Sequence, residues 1–308
     1  MKKSQKTYRC KVCRQPTAIY LREHRLALCK DDYIAWFERQ VARTIRQFKM
    51  FGPRDRILVG VSGGKDSLTV WLVLNRLGYQ ADGVFLDLGI PDFSELSYLK
   101  GRDFAAIHGL KFQRLFLKDL IGLVLPDLEK KTRKVCSLCG SIKRALFNKL
   151  AKEMGYQVVV TGHNLDDEAS SLLSNVINWS LKYLARKYPV LPEGAGFVRK
   201  AKPLCRSSVR EIRLYAELND IDFLADPCPF SENATRLTYA EEMDRLEEVF
   251  PGTKRRFYLE YLRKAYPIFH RDVDHFMERP LVTCSRCQEP AVNDPCLICR
   301  LRAEAGLS

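Results

Sequence analysis

Short apolar, β-branched runs alternate with stretches of helical periodicity through the middle of the chain, from Arg56 to about Asp226. The runs 57–61, 83–87, 112–117 and 157–161 predict strands, with 223–224 as a weaker fifth. The stretches 66–77, 94–108, 137–154, 166–181 and 208–219 predict helices. Strand and helix in alternation imply an α/β fold, a doubly wound parallel sheet that binds ligands beyond the carboxyl ends of its strands. Ahead of it, Tyr33, Trp36, Phe37, Val41, Ile45 and Phe48 recur at helical spacing and predict an amphipathic helix over 33–50 that packs on this domain. The stretch 189–197, rich in Pro and Gly, reads as a surface loop. After Pro229 the pattern turns helical, with Asn233 or Thr235 as candidate cap and Leu237, Met243, Leu246, Val249 and Phe250 as the apolar stripe. A basic, aromatic helical stretch follows over 254–276.

Composition changes this picture in two ways. With 46% hydrophobic and 29% charged residues the chain has a globular composition, and no run nears the ~18–20 apolar residues of a membrane helix. The opening residues lack the apolar region of a secretory signal, so a cytoplasmic protein with no membrane contact is expected. The net charge of +14 points to a polyanionic partner, nucleic acid first. Eleven cysteines, eight of them in four C-x-x-C pairs, argue for metal ligation in a reducing compartment rather than for disulfides. They divide the chain into an N-terminal module (1–32), a central domain (33–230), a helical extension (231–279) and a C-terminal module (280–308). Neither end module is large enough to fold without a staple.

The chemistry begins at Gly60-Val61-Ser62-Gly63-Gly64-Lys65-Asp66-Ser67, where an apolar strand turns through small residues into a helix. Gly63 and Gly64 let backbone N–H groups approach an anion, and Ser62, Lys65 and Ser67 add donors, so a phosphate fits there. The Walker A spacing is absent, which disfavours a kinase or GTPase. The string SGGKDS resembles the PP-loop of the ATP pyrophosphatases, which split ATP between its α and β phosphates and adenylate their substrate. That resemblance implies that Asp66 helps hold Mg2+ on the departing pyrophosphate and that Asp87 lies near the nucleotide. As a plain strand-terminal residue, Asp87 would instead only start a turn.

Cys136 and Cys139 open a predicted helix. At ~100° per residue they lie about 60° apart with Lys143 about 20° from Cys136, so a metal and a cation share one face. Cys228, after the last predicted strand, is the candidate third ligand, whereas Cys205 reads as a buried bystander. Three thiolates leave a coordination position open, which marks a reactive centre; a structural zinc or a redox disulfide are the alternatives. At the C-terminus Cys284, Cys287, Cys296 and Cys299 have the spacing of a four-cysteine zinc knuckle. At the N-terminus Cys10, Cys13 and Cys29 lack a fourth cysteine, and Asp32, His24 or a water completes the site, Asp32 being favoured.

Taken together, SGGKDS, CSLCG with Lys143, TGHNLDDE and Cys228 resemble the TtuA and TtcA class of tRNA 2-thiolation enzymes from end to end. The run 86–97 and the paired terminal modules point to the TtuA branch. This resemblance implies a [4Fe-4S] cluster on Cys136, Cys139 and Cys228 with an open iron for sulfide, zinc at both ends, and adenylation of a T-loop 5-methyluridine C2 oxygen by ATP before sulfur insertion. It places the catalytic residues at Lys143 and Asp167, and Gly162 and His163 at the nucleotide. The acids at 166–168 also suit a helix start, which is the favoured reading for Asp166 and Glu168, and His163 could equally satisfy a strand end. The partners implied are tRNA, a ubiquitin-like thiocarboxylate carrier or free sulfide, and a second copy in a homodimer. Two rivals differ in chemistry: another PP-loop adenylating ligase with structural zinc only, and a redox-sensing nucleic-acid-binding protein.

Overall fold

In a computed structural model, which describes residues 7–129, 132, 135–231, 235–276 and 281–307, the β-branched runs assemble into one six-stranded sheet. Its strands are β1 (Arg56–Gly60), β2 (Gln80–Asp87), β3 (Phe112–Phe116), β4 (Val158–Val160), β5 (Val190–Leu191) and β6 (Arg199–Ala201). They lie in the order β3-β2-β1-β4-β6-β5, parallel except for the antiparallel edge strand β5. The first four are the predicted strands. The fifth is a correction: residues 223–224 form no strand, and the sheet instead recruits Arg199–Ala201, with Val190–Leu191 drawn from the stretch expected to be a loop. Strands of two and three residues are too short to show a period of two against the surrounding Pro and Gly. The Leu224 N–H is used elsewhere, donating to the Gly63 carbonyl at 3.0 Å.

The sheet is flanked by α1 (Lys30–Gln47), α2 (Lys65–Arg76), α3 (Phe93–His108), α4 (Val135–Glu153), α5 (Leu165–Ile177) and α6 (Val209–Leu218). Ile57 and Val59 join Phe37, Trp71 and Tyr215 in a core on one face, while Leu58 and Val159 pack with Ala151 and Phe147 of α4 on the other. Alternate strand residues thus point to opposite sides, as the pleat requires. The order of connection reverses between β1 and β4, which opens a crevice at their carboxyl ends.

The C-terminal extension follows as α7 (Thr235–Val249) and α8 (Thr253–Glu260), both packed on α5. The candidate cap Asn233 and the 279/280 junction lie outside the described residues. The expected apolar stripe is corrected: Met243 is buried, but Leu237, Leu246, Val249 and Phe250 are exposed. Polar anchors hold these helices instead. Glu247 accepts from the backbone N–H of Gly252 and Lys254, and the Lys254 ammonium bonds Asp166 and Asp244. The basic, aromatic stretch is therefore partly structural, with Lys254, Tyr258, Tyr261 and Leu262 buried.

Candidate active site and metal centres

After β1 the chain must turn sharply. Gly63 sits at φ +74°, and a Cβ there would lie 2.3 Å from the Ser97 carbonyl oxygen. The loop is braced from within: the Ser62 N–H donates to Ser67 Oγ at 3.0 Å, and the Ser67 hydroxyl donates to the Gly64 carbonyl at 3.0 Å. Gly64 provides no side-chain cap for α2, so the first-turn N–H groups are presented to an anion. Lys65 Nζ donates to Asp66 Oδ2 at 2.9 Å, and Asn164 Nδ2 to Asp66 Oδ1 at 3.2 Å. Burial, joined by the nearby Asp167, raises the Asp66 pKa against the opposing pull of Lys65. Two carboxylates that repel one another beside a phosphate cradle suit a divalent cation.

The end of β4 meets this loop directly. A Cβ on Gly162 would lie 2.8 Å from the Ser67 nitrogen, so only glycine allows the two turns to touch. Asn164 caps α5 by accepting from the Asp166 and Asp167 N–H groups at 2.9 and 3.1 Å, and Asp167 completes the capping box. Asp167 is therefore both a helix-start residue and the neighbour of Asp66. His163 Nδ1 lies 2.7 Å from Thr161 Oγ1, and the protein around the ring, then Lys202, lower its pKa. Asp87 is buried, with one oxygen accepting from the Gly89 N–H at 2.8 Å and the other from Arg114 Nε at 2.9 Å. Both of its oxygens thus have partners within the protein, at a turn.

Asp166 and Glu168 do structural work. Asp166 accepts from the Val209 N–H at 2.8 Å and pairs with Lys254. Glu168, 1% exposed, pairs with Lys202 at 2.8 Å and Lys187 at 2.9 Å and accepts from Tyr258 at 3.2 Å. The motif gave no sign of these two lysines, which lie far along the chain. Burial pushes the Glu168 carboxyl up, but the lysines outweigh it and hold its pKa at about 2. Glu168→Ala leaves two half-buried cations without their anion and is expected to cost ~3 kcal/mol in urea unfolding. Because the folded pKa is depressed, this contribution is complete above the unfolded value of about 4.3 and fades as pH falls toward 2. A variant as stable as the parent at pH 7 would refute the assignment.

The cysteine helix α4 runs along the opposite side of the crevice, where its Phe147 ring lies so close to β1 that a Cβ on Gly60 would come within 3.2 Å of it. Cys136 Sγ donates to the Phe230 carbonyl at 2.7 Å, and Cys139, Cys228 and Phe230 pack on one apolar cluster with Ile142 and Leu146. Burial raises the Cys139 pKa, Lys143 opposes it, and the charges of Cys228 and Cys136 add to it. Cys228 follows Leu224, which is hydrogen-bonded to Gly63, by four residues, a reach of at most about 14 Å. Cys228 is therefore tethered to the phosphate loop by a short segment of chain.

The two end modules gather their ligands more tightly. Cys284, Cys287, Cys296 and Cys299 have all four sulfurs within 4.8 Å of one another, with contacts of 3.8 Å (Cys284 to Cys299) and 3.6 Å (Cys287 to Cys296). Cys10, Cys13, Cys29 and Asp32 form a matching set, in which Asp32 Oδ2 lies 3.0 Å from Cys10 Sγ and 3.1 Å from Cys29 Sγ. His24 faces away from it and pairs with Glu211 at 2.7 Å. Zn–S bonds of about 2.3 Å in a tetrahedron put ligands ~3.8 Å apart, which fits both ends. Among the described residues, Cys136, Cys139 and Cys228 are not one of the sets gathered within 4.8 Å. The C-terminal module packs on the same apolar cluster as α4, and Lys152 of α4 pairs with its Glu289 at 2.7 Å.

Among the described residues, no helix is long and apolar enough to cross a membrane. Residues 9–34 match the family described as 2-thiouridine synthetase TtuA, N-terminal LIM domain, and residues 34–239 match the PP-loop domain. The chain is 41% identical over 293 residues to the tRNA-5-methyluridine(54) 2-sulfurtransferase of Thermus thermophilus, covering 95% of this chain and 90% of that protein. To the protein of the same name from Thermotoga maritima it is 39% identical over 300 residues, covering 96% of each. Among solved structures, the U34-tRNA thiolase NcsA from Methanococcus maripaludis with its [4Fe-4S] cluster superposes with a TM-score of 0.78 at 24% identity, over 96% of each chain, which shows the shared fold. The chain belongs to the PP-loop family, in its TtuA branch of 2-thiouridine synthetases.

Proposed function

We propose that this protein is an ATP-dependent tRNA-uridine 2-sulfurtransferase acting on a T-loop 5-methyluridine, in line with relatives named tRNA-5-methyluridine(54) 2-sulfurtransferase. The observation that carries the reading is the bracing of the Cys228 segment against the phosphate loop through the Leu224 N–H and the Gly63 carbonyl, which supports a common site for thiols and nucleotide. The backbone of 62–67 and Lys65 bind the phosphates of ATP, and Asp66 and Asp167 would hold Mg2+ on them. The uridine C2 oxygen attacks the α phosphate and pyrophosphate leaves. A sulfide equivalent, from a thiocarboxylate carrier or free in solution, then attacks C2, and AMP departs with the former C2 oxygen. Lys143 stabilises the negative charge that develops there, as a fixed cation does. A [4Fe-4S] cluster on Cys136, Cys139 and Cys228 would supply an iron position open to sulfur. Gly162 and His163 line the nucleotide side, and Asp87 with Arg114 shapes its rim. The substrate and the reduced cysteines suit a cytoplasmic site of action, and a homodimer is the expected assembly.

Anaerobic reconstitution with ATP, sulfide and tRNA that carries 5-methyluridine but no 2-thio group, followed by nucleoside mass spectrometry, tests the proposal. Formation of 5-methyl-2-thiouridine with AMP and pyrophosphate is expected; ATP left intact, or a thiolated product absent, would overturn it. The zinc modules have their own test. Asp32→Ala is expected to lower zinc by about one equivalent per chain in elemental analysis, and His24→Ala to leave it unchanged. The opposite pattern would reassign the fourth N-terminal ligand.

A further inference from the structure

Strand β6 carries two neighbouring cations with different fates. Arg199 pairs with Glu193 at 3.2 Å and Asp55 at 3.5 Å. Lys200 points to the other face of the sheet, toward α4, where its Nζ donates to the Arg144 carbonyl at 3.2 Å. Lys187, Lys202 and Lys254 each meet a carboxylate in the same half of the molecule; among the described residues, neither Lys200 nor Arg144 does. Arg144 is exposed and follows Lys143 on the cysteine helix, five residues or about 7.5 Å of rise beyond Cys139. Burial first, and then the charges of Arg144 and Arg186, push the Lys200 ammonium down to about 8. An anion seated between them would relieve that repulsion.

We propose that Arg144 and Lys200 form a binding site for a backbone phosphate of the tRNA, beside the mouth of the cysteine centre. The inference rests on the thiolation reading above and adds to it the point at which the RNA strand is gripped. A guanidinium fork and an ammonium on rigid elements match a phosphodiester, and their place on α4 and β6 fixes its distance from Lys143. Phosphate contacts carry affinity and register but no base information, so the site orients the nucleic acid without selecting the nucleotide.

The test uses the full chain with its metal centres reconstituted and fluorescently labelled, unmodified tRNA, titrated over a salt series. Arg144→Gln and Lys200→Gln are each expected to weaken binding about three- to tenfold and to flatten the slope of log affinity against log salt by about 0.7–0.9. ATP affinity and the visible absorbance of the cluster should not change. Lys149→Gln, on the same helix but paired with Glu153 at 3.7 Å, should behave as wild type. Unaltered affinity and slope in both variants, with wild-type binding intact, overturn the site alone. Loss of cluster absorbance together with affinity also overturns it, because the cations would then be balancing cluster charge. A wild-type protein that binds no tRNA would sink the thiolation reading itself.

Discussion

Lys143→Ala is expected to lower tRNA thiolation by about 100- to 1,000-fold, the scale of losing one preorganised group at a developing anion. The structure explains why so little else should change. Lys143 is half-buried on α4, whose packing is carried by Ile142, Leu146 and Leu150 on the apolar cluster, so truncation removes a charge without opening the core. ATP affinity and cluster absorbance should match the parent, because the phosphates are cradled by 62–67 and the thiols are untouched. Single-turnover thiolation assayed beside ATP binding separates the two. Turnover within tenfold of wild type would remove Lys143 from the mechanism.

Gly63→Ala is expected to weaken ATP binding by about 100-fold, the cost of misplacing a binding loop by an ångström. The added Cβ would meet the Ser97 carbonyl at 2.3 Å, and that carbonyl is backbone within α3, which has no side-chain freedom to yield. The left-handed φ of +74° adds ~1–2 kcal/mol of strain for any L-residue with a side chain. Gly64→Ala is the control, since its Cβ meets only Ser62 Oγ at 3.6 Å, an ordinary contact. Calorimetric titration with ATP and thermal unfolding should therefore show Gly63→Ala losing affinity and a few degrees in Tm, and Gly64→Ala keeping its Tm. Equal unfolding temperatures for Gly63→Ala and wild type would mean that the loop relaxes and that the steric account fails.

Much of this was legible along the chain. Four strands, the helix that follows each and the phosphate loop are written in local periodicity and in a glycine pair whose conformation any strand-to-helix turn would need. The C-x-x-C spacings were equally local, because two thiolates three residues apart reach one ion whatever surrounds them. The sequence by itself thus determined the doubly wound sheet, the PP-loop and the cysteine sets of the two end modules. Tertiary structure decided the rest. The choice of Asp32 over His24 depended on Glu211, which takes His24 from 187 residues away. The role of Glu168 depended on two distant lysines, and the place beside Val158–Val160 went to Arg199–Ala201 while the Leu224 N–H bonded Gly63. Each of these is a contest between partners that only folding brings within a hydrogen bond's length. Local pattern records which residues can form an interaction, and the packed chain determines which of them do.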